Sequence, residues 1–165
     1  MEYKDCKDRF IETWGRLGPQ WGINKTMAQI HALLLVASQP MTAEQVLNEL
    51  QISQGNVNMN LRALLDWGLI SKYSRDGERC EYYLAEKNLH IVFKQILSHR
   101  KKKELDPILA DLDDLLACTE KCEKSKEFKK MVSEINDFAH KADNALELLL
   151  KTDSHWFYNT LMKML

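Results

Sequence analysis

The residues richest in hydrogen-bonding chemistry lie in "SQGNVNMNLRALLDWGL", residues 53–69. A helical wheel puts Val57, Leu61, Leu64, Leu65 and Gly68 on one side, against a core. Gly55, Asn56, Met59, Arg62 and Asp66 point away, with Asn58 on the flank. Glycine and asparagine weaken a helix, glycine by about 1 kcal/mol relative to alanine. What they offer instead is chemical. Asparagine pairs bidentately with adenine in the major groove of DNA, and arginine with guanine. A glycine allows a helix start to approach closely, and the free N–H groups there meet a phosphate. The pattern predicts base contacts from Gln54, Gly55, Asn56, Asn58, Met59 and Arg62, with the asparagines and Gly55 free to face a groove. Ser53 caps the helix and can also touch phosphate, while Arg75 and Arg79, on either side of "DGE", suit the minor groove or the backbone.

Charge argues the other way. The whole chain carries a formal net charge of −1, which gives no global attraction to nucleic acid. Between residues 42 and 85, four positive side chains (Arg62, Lys72, Arg75, Arg79) stand against six negative ones (Glu44, Glu49, Asp66, Asp76, Glu78, Glu81). Affinity for DNA rests heavily on phosphate neutralisation, so a single module should bind weakly and a dimer would compensate.

Other constellations carry weaker signals. Trp14, Trp21 and Trp67 suggest an aromatic cage for a quaternary ammonium effector, against core packing of the same rings. Cys118 and Cys122, four apart, share a helix face and suit a soft metal or a redox-active thiol, against unremarkable surface thiols. "HRKKK" (99–103) reads as a solvated helix face, a phosphate contact or a hinge before Pro107. The five histidines are scattered, and neither a nucleophile elbow nor a phosphate-binding glycine loop occurs. The expectation is no enzyme, no cofactor and no metal, with His31 a core histidine.

Elements that would position these residues follow from periodicity and caps. A helix over 2–17 stops at Gly18-Pro19, and a nearly all-apolar one runs from an Asn24 cap to Ser38. Thr42 and Gln45 make a capping box, with Met41 and Val46 as a hydrophobic staple. Ser53 caps the next helix, stapled by Ile52 and Val57. Two short capped helices separated by a few residues outline a helix-turn-helix. "LISKYS" and "RCEYYL" around "RDGE" predict a tight β-hairpin, the wing of a winged helix.

Beyond residue 88 the pattern is helical. Leu105, Ile108, Leu109, Leu112, Leu115 and Leu116 keep a spacing near 3.5, as do Phe128, Val132, Ile135, Phe138, Ala142, Ala145 and Leu149, with Ser125 as a candidate cap. "SHWFYNTLMKML" predicts a last short helix. The fold class is therefore mainly α with a small β-hairpin wing. Residues 1–87 form a winged helix-turn-helix domain with an N-terminal helix, and 88–165 a helical dimerisation and effector region. The N-terminus is charged from its second residue and the longest apolar run, "ALLLVA", is too short to span a bilayer, so a cytoplasmic location with reduced cysteines and no membrane partner is the default.

"FIETWGRLGPQWGINKTMAQIHALLL", "SQPMTAEQVLNELQISQGNVNMNLRALLDWGLI" and "GERCEYYLAE" together resemble the GbsR branch of the MarR-type winged-helix transcriptional regulators, over about residues 8–110. The resemblance implies a homodimeric repressor of palindromic double-stranded operator DNA, with Ser53 to Trp67 as recognition helix and Ser71 to Tyr82 as wing. Some relatives respond to choline-like quaternary ammonium compounds, which implies a small-molecule effector. Two other readings stand beside it: a winged-helix protein-interaction module without DNA binding, and a thiol or metal sensor using Cys118 and Cys122.

Overall fold

The computed structural model describes residues 2–117 and 123–152. Cys118, Cys122 and the helix expected over 154–165 lie outside the described residues. No helix among the described residues is long and apolar enough to cross a membrane. The chain falls into two compact units, Met1–Gln95 and Ile96–Leu165.

In the first unit, α1 (Tyr3–Leu17) runs into a 3₁₀ turn at Gly18–Trp21, opened by Pro19. A methyl group on Gly18 would sit 2.7 Å from the Ala28 Cβ, so the glycine is needed where α1 meets α2 (Lys25–Val36). Asn24 caps α2 as expected, its Oδ1 accepting the Met27 N–H at 2.8 Å. The helix ends at Val36 rather than Ser38, ahead of Pro40, which disfavours helical backbone in the residue before it. Met27, Ala28, Ile30, His31, Ala32, Leu33 and Leu34 are all buried, which makes α2 the centre of the unit.

Next come β1 (Met41–Thr42) and α3 (Ala43–Leu50). The capping box is complete: the Gln45 N–H donates to Thr42 Oγ1 and the Thr42 N–H donates back to Gln45 Oε1. Gln51 then turns the chain with φ of 52°, and the Ile52 N–H donates to the Leu47 carbonyl. This left-handed residue ends α3 and aims the chain into α4 (Gln54–Asp66).

The wing is formed by β2 (Ile70–Ser74) and β3 (Glu81–Ala85). β1 adds a third antiparallel strand, giving the order β1-β3-β2. That strand carries no sequence signal, being two residues long and shared with the cap of α3. The Asp76-Gly77 turn is present, with Gly77 at φ of 82° and the Glu78 N–H donating to the Arg75 carbonyl. It sits inside a loop over 75–80, however, and not in the tight two-residue hairpin expected from Asp-Gly.

The boundary between the units falls within α5 (Leu89–Arg100). In the second unit a π-helical turn at Lys101–Leu105 leads into α6 (Asp106–Leu116) without a break. Pro107 accounts for the wider turn, since its ring displaces the carbonyl four residues back and it donates no N–H. α7 (Glu123–Lys151) packs on α6 through Val132, Asn136 and Ala139, and Asn136 Nδ2 donates to Asp113 Oδ1 at 2.8 Å. The expected seam of α7 is thus corrected in part. Val132 is inside, but Phe128, Ile135 and Phe138 are exposed, on a second apolar seam with Met131. On α6, Leu109 is buried while Ile108 and Leu115 are exposed. Ser125 lies inside the first turn of α7 and is not its N-cap.

Candidate nucleic-acid interface

α4 is held from one side only. Val57, Leu61 and Leu64 are fully buried, each contributing roughly 1.5–3 kcal/mol. That exceeds the weakening by Gly55 and the asparagines, which together cost about 2–3 kcal/mol against alanine. Ser53 caps the helix, its Oγ accepting the Asn56 N–H at 3.4 Å. At the other end the Leu69 N–H donates to the Leu64 carbonyl and the Gly68 N–H to Leu65, a Schellman closure around Gly68 at φ of 68°. Gly68 is therefore an exposed left-handed cap, not the core residue expected from the wheel, and Leu65 is only half-buried.

Gln54, Gly55, Asn58, Met59 and Arg62 are exposed along one face, as expected, and Met59 keeps 62% of its surface. Gln54 Nε2 donates to Asn58 Oδ1 at 3.1 Å, and Asn58 itself is exposed. A side-chain carbon placed on Gly55 would meet no atom within 4 Å. Among the described residues nothing needs that residue to be small.

Asn60 departs from expectation. It is 1% exposed, and its side chain turns inward to Asn24, whose Nδ2 donates to Asn60 Oδ1 at 2.8 Å. Asn60 Nδ2 donates to the Asn56 carbonyl at 2.9 Å and to Asn56 Oδ1 at 2.7 Å. Asn60 thus does not face a groove, and Asn56 is half-buried. The signal for this was present in the wheel, which left Asn60 off the outward face, but its partner is remote in sequence.

On the wing, the cross-strand pair Tyr73 and Tyr82 stack with centroids 5.7 Å apart. The Arg75 guanidinium lies 4.1 Å from the centre of the Tyr82 ring. Tyr82 donates to Glu78, which holds that carboxyl below its usual range and pushes the tyrosine up to about 12. Lys72 pairs with Glu81 at 2.5 Å and lowers its carboxyl likewise. Two of the acidic side chains that oppose DNA are therefore already engaged inside the wing. Arg75 and Arg79 remain exposed with Arg62.

The basic run at 99–103 is not one solvated stripe. Arg100 pairs with Glu104 at 3.0 Å, and Lys101 is turned inward to Asp106 at 2.8 Å and Asp143 at 2.9 Å. Only Lys102 and Lys103 are exposed without an ion pair among the described residues. Among the tryptophans, Trp14 and Trp21 meet edge to face at 5.6 Å, beside Phe10 and 6.4 Å from His31. Trp67 is the C-cap of α4.

Residues 21–79, which run from the 3₁₀ turn to the wing, match the model of the MarR family. Over that stretch the chain is similar to the MarR family, and its fold is a winged helix. The fold agrees with the crystal structure of a transcriptional regulator, at TM-score 0.64 and 19% identity, over 87% of this chain and 95% of that chain. Weaker likenesses are to the transcriptional regulator Tm0710 from Thermotoga maritima and to wild-type ZitR of Lactococcus lactis in complex with DNA. The first has TM-score 0.42 and 15% identity over 81% of this chain and 89% of that one. The second has TM-score 0.34 and 19% identity over 83% and 97%. No curated protein matches the sequence significantly. Within this winged helix, α3 and α4 are the helix-turn-helix and β2–β3 the wing.

Proposed function

We propose that the chain is a sequence-specific DNA-binding transcriptional regulator, a homodimeric repressor of the GbsR branch, whose α4 reads the major groove of a palindromic operator. Gly55 carries the proposal. It weakens the first turn of α4, and the open space around it gives no reason among the described residues for the missing side chain. A face that must lie close against another molecule supplies that reason. Ser53, Gln54, Asn56, Asn58, Met59 and Arg62 would then contact the groove, and Arg75 and Arg79 the flanking backbone or minor groove.

The dimer is supported by the second seam of α7, where Phe138 keeps 74% of its surface with Phe128, Met131 and Ile135 also exposed. A second copy would cover these side chains and double the phosphate contacts that one acidic module lacks. Release by a small molecule, of the choline-like quaternary ammonium class, rests on the resemblance and on the Trp14–Trp21 pair.

The experiment is to replace Gly55 by leucine. Thermal unfolding should move up, because leucine is the better helix former by roughly 0.5–1 kcal/mol and the site is open. Operator affinity should fall about tenfold or more, as the side chain holds the helix off the bases. A variant that gains stability and binds DNA unchanged would defeat the proposal. The local acidic excess favours one rival, a protein-interaction module. Salt separates them, since DNA affinity must fall steeply with ionic strength and contacts through an apolar face must not.

A further inference from the structure

Within the DNA-binding reading, on which this inference rests, the structure assigns Asn24 and Asn60 as positioning residues that decide which bases Asn56 can read. Amide oxygens and nitrogens are interchangeable in shape, so an asparagine's orientation is set by what its partners can donate or accept. Here two backbone groups settle it from opposite ends. The Met27 N–H can only donate, which places Asn24 Oδ1 toward it and turns Asn24 Nδ2 to Asn60 at 2.8 Å. The Asn56 carbonyl can only accept, which places Asn60 Nδ2 toward it at 2.9 Å. Both ends therefore require the same orientation of Asn60, which is 1% exposed.

The consequence appears on Asn56. The same Asn60 Nδ2 donates to Asn56 Oδ1 at 2.7 Å, so that oxygen is occupied from within. Asn56 is left with its N–H donors and a single oxygen lone pair for an outside partner. The bidentate contact to adenine needs that oxygen as well as the nitrogen, so with one lone pair committed inward Asn56 is handicapped for adenine relative to a free asparagine. Asn58, whose oxygen accepts from Gln54 at 3.1 Å, presents donors too, and Arg62 carries donors only. The outward face of α4 thus offers mainly N–H groups. Its favoured DNA partner is a half-site rich in acceptors: guanine with N7 and O6, or thymine with O4, over adenine, whose N7 acceptor stands beside the N6 donor that these N–H groups cannot meet.

The test is binding-site selection from random duplex DNA with the 165-residue chain and four variants. Asn56→Ala locates the base pair that Asn56 meets, as the position where preference disappears. At that position the wild-type chain should favour guanine or thymine over adenine by about three- to tenfold, the worth of one hydrogen bond. Asn24→Asp keeps the α2 cap but cannot donate to Asn60, and Asn60→Ala removes the inner partner altogether. In both, adenine should become acceptable at that position while the preference set by Arg62 stays. Asn56→Asp, which has no donor, should shift the position toward cytosine. Thermal unfolding of each variant verifies the fold, and Asn24→Asp retains a good cap should Asn60→Ala not fold.

A wild-type preference for adenine at the Asn56 position would overturn the assignment. An enriched site that is identical in wild type, Asn24→Asp and Asn60→Ala would overturn it as well, leaving DNA binding intact. No enrichment by the wild-type chain would overturn the DNA-binding reading and this inference with it.

Discussion

Replacing Arg62 by alanine is expected to weaken specific DNA binding by roughly 1–3 kcal/mol and to relax preference at one base pair of each half-site. The side chain is exposed on α4, one turn beyond Asn58 and Met59, on the same exposed face. Its removal leaves Val57, Leu61 and Leu64 in place, so the unfolding midpoint should stay within the usual range of a surface change. Arg62→Lys sharpens the result. It keeps the charge but loses the planar fork, so most of the specificity should remain lost. The salt dependence of binding then tells base contact from phosphate contact. Arg62→Ala should leave the slope nearly unchanged, whereas Arg79→Ala should lower it by about one for each phosphate contact released. Equilibrium titration against the selected duplex and against a shuffled one checks both. Equal losses on the two duplexes would move Arg62 from base reader to backbone contact.

The second large effect concerns stability. His31 is buried in α2 beside Trp14, and its Nε2 has no hydrogen-bond partner among the described residues. Burial pushes its pKa down to about 4, so the folded state keeps the imidazole neutral while the unfolded chain titrates near 6.5. Between these values the unfolded state binds the extra proton. Stability must then rise with pH across that window and fall as pH drops from 6.5 toward 4, by about 3 kcal/mol in total. The acidic side chains lowered by their partners, such as Glu81 and Asp113, also lose stabilisation at the acid end. A comparison with His31→Leu removes their contribution. Denaturant unfolding of both chains between pH about 7 and about 4 should show the wild type losing about 3 kcal/mol more than the variant. Parallel curves would mean that His31 is solvated or paired in the folded protein.

Local chemistry made much of this legible in the sequence. The caps at Asn24, Thr42–Gln45 and Ser53 are interactions across three residues, and each appears where its residue types require. The outward face of α4 was readable for the same reason, since a helix converts spacing directly into direction. Asn60 was not readable, because its partner Asn24 is distant in sequence and only the packing of α2 on α4 brings them together. Gly68 was misplaced because the wheel assumes helical backbone where the chain has already turned left-handed. α7 shows a third kind of limit. Its two seams have the same spacing, and the one that packs on α6 is not the more apolar. It carries small Ala139 and the Asn136 amide that bonds Asp113, while Phe128 and Phe138 stay outside. Of the readings of 99–103, a uniformly solvated face fails at Lys101, because Pro107 distorts the preceding turn, where Lys101 meets Asp106, Asp143 and Glu147.

The account stands on α4 reading DNA from a dimer, and selection of binding sites from random duplexes at low salt tests that most directly. The predicted result is enrichment of one palindrome whose half-sites lie about one helical turn apart, roughly 10 base pairs, bound by two chains. Failure of the wild-type chain to enrich any sequence, at salt low enough to favour phosphate contacts, would contradict it.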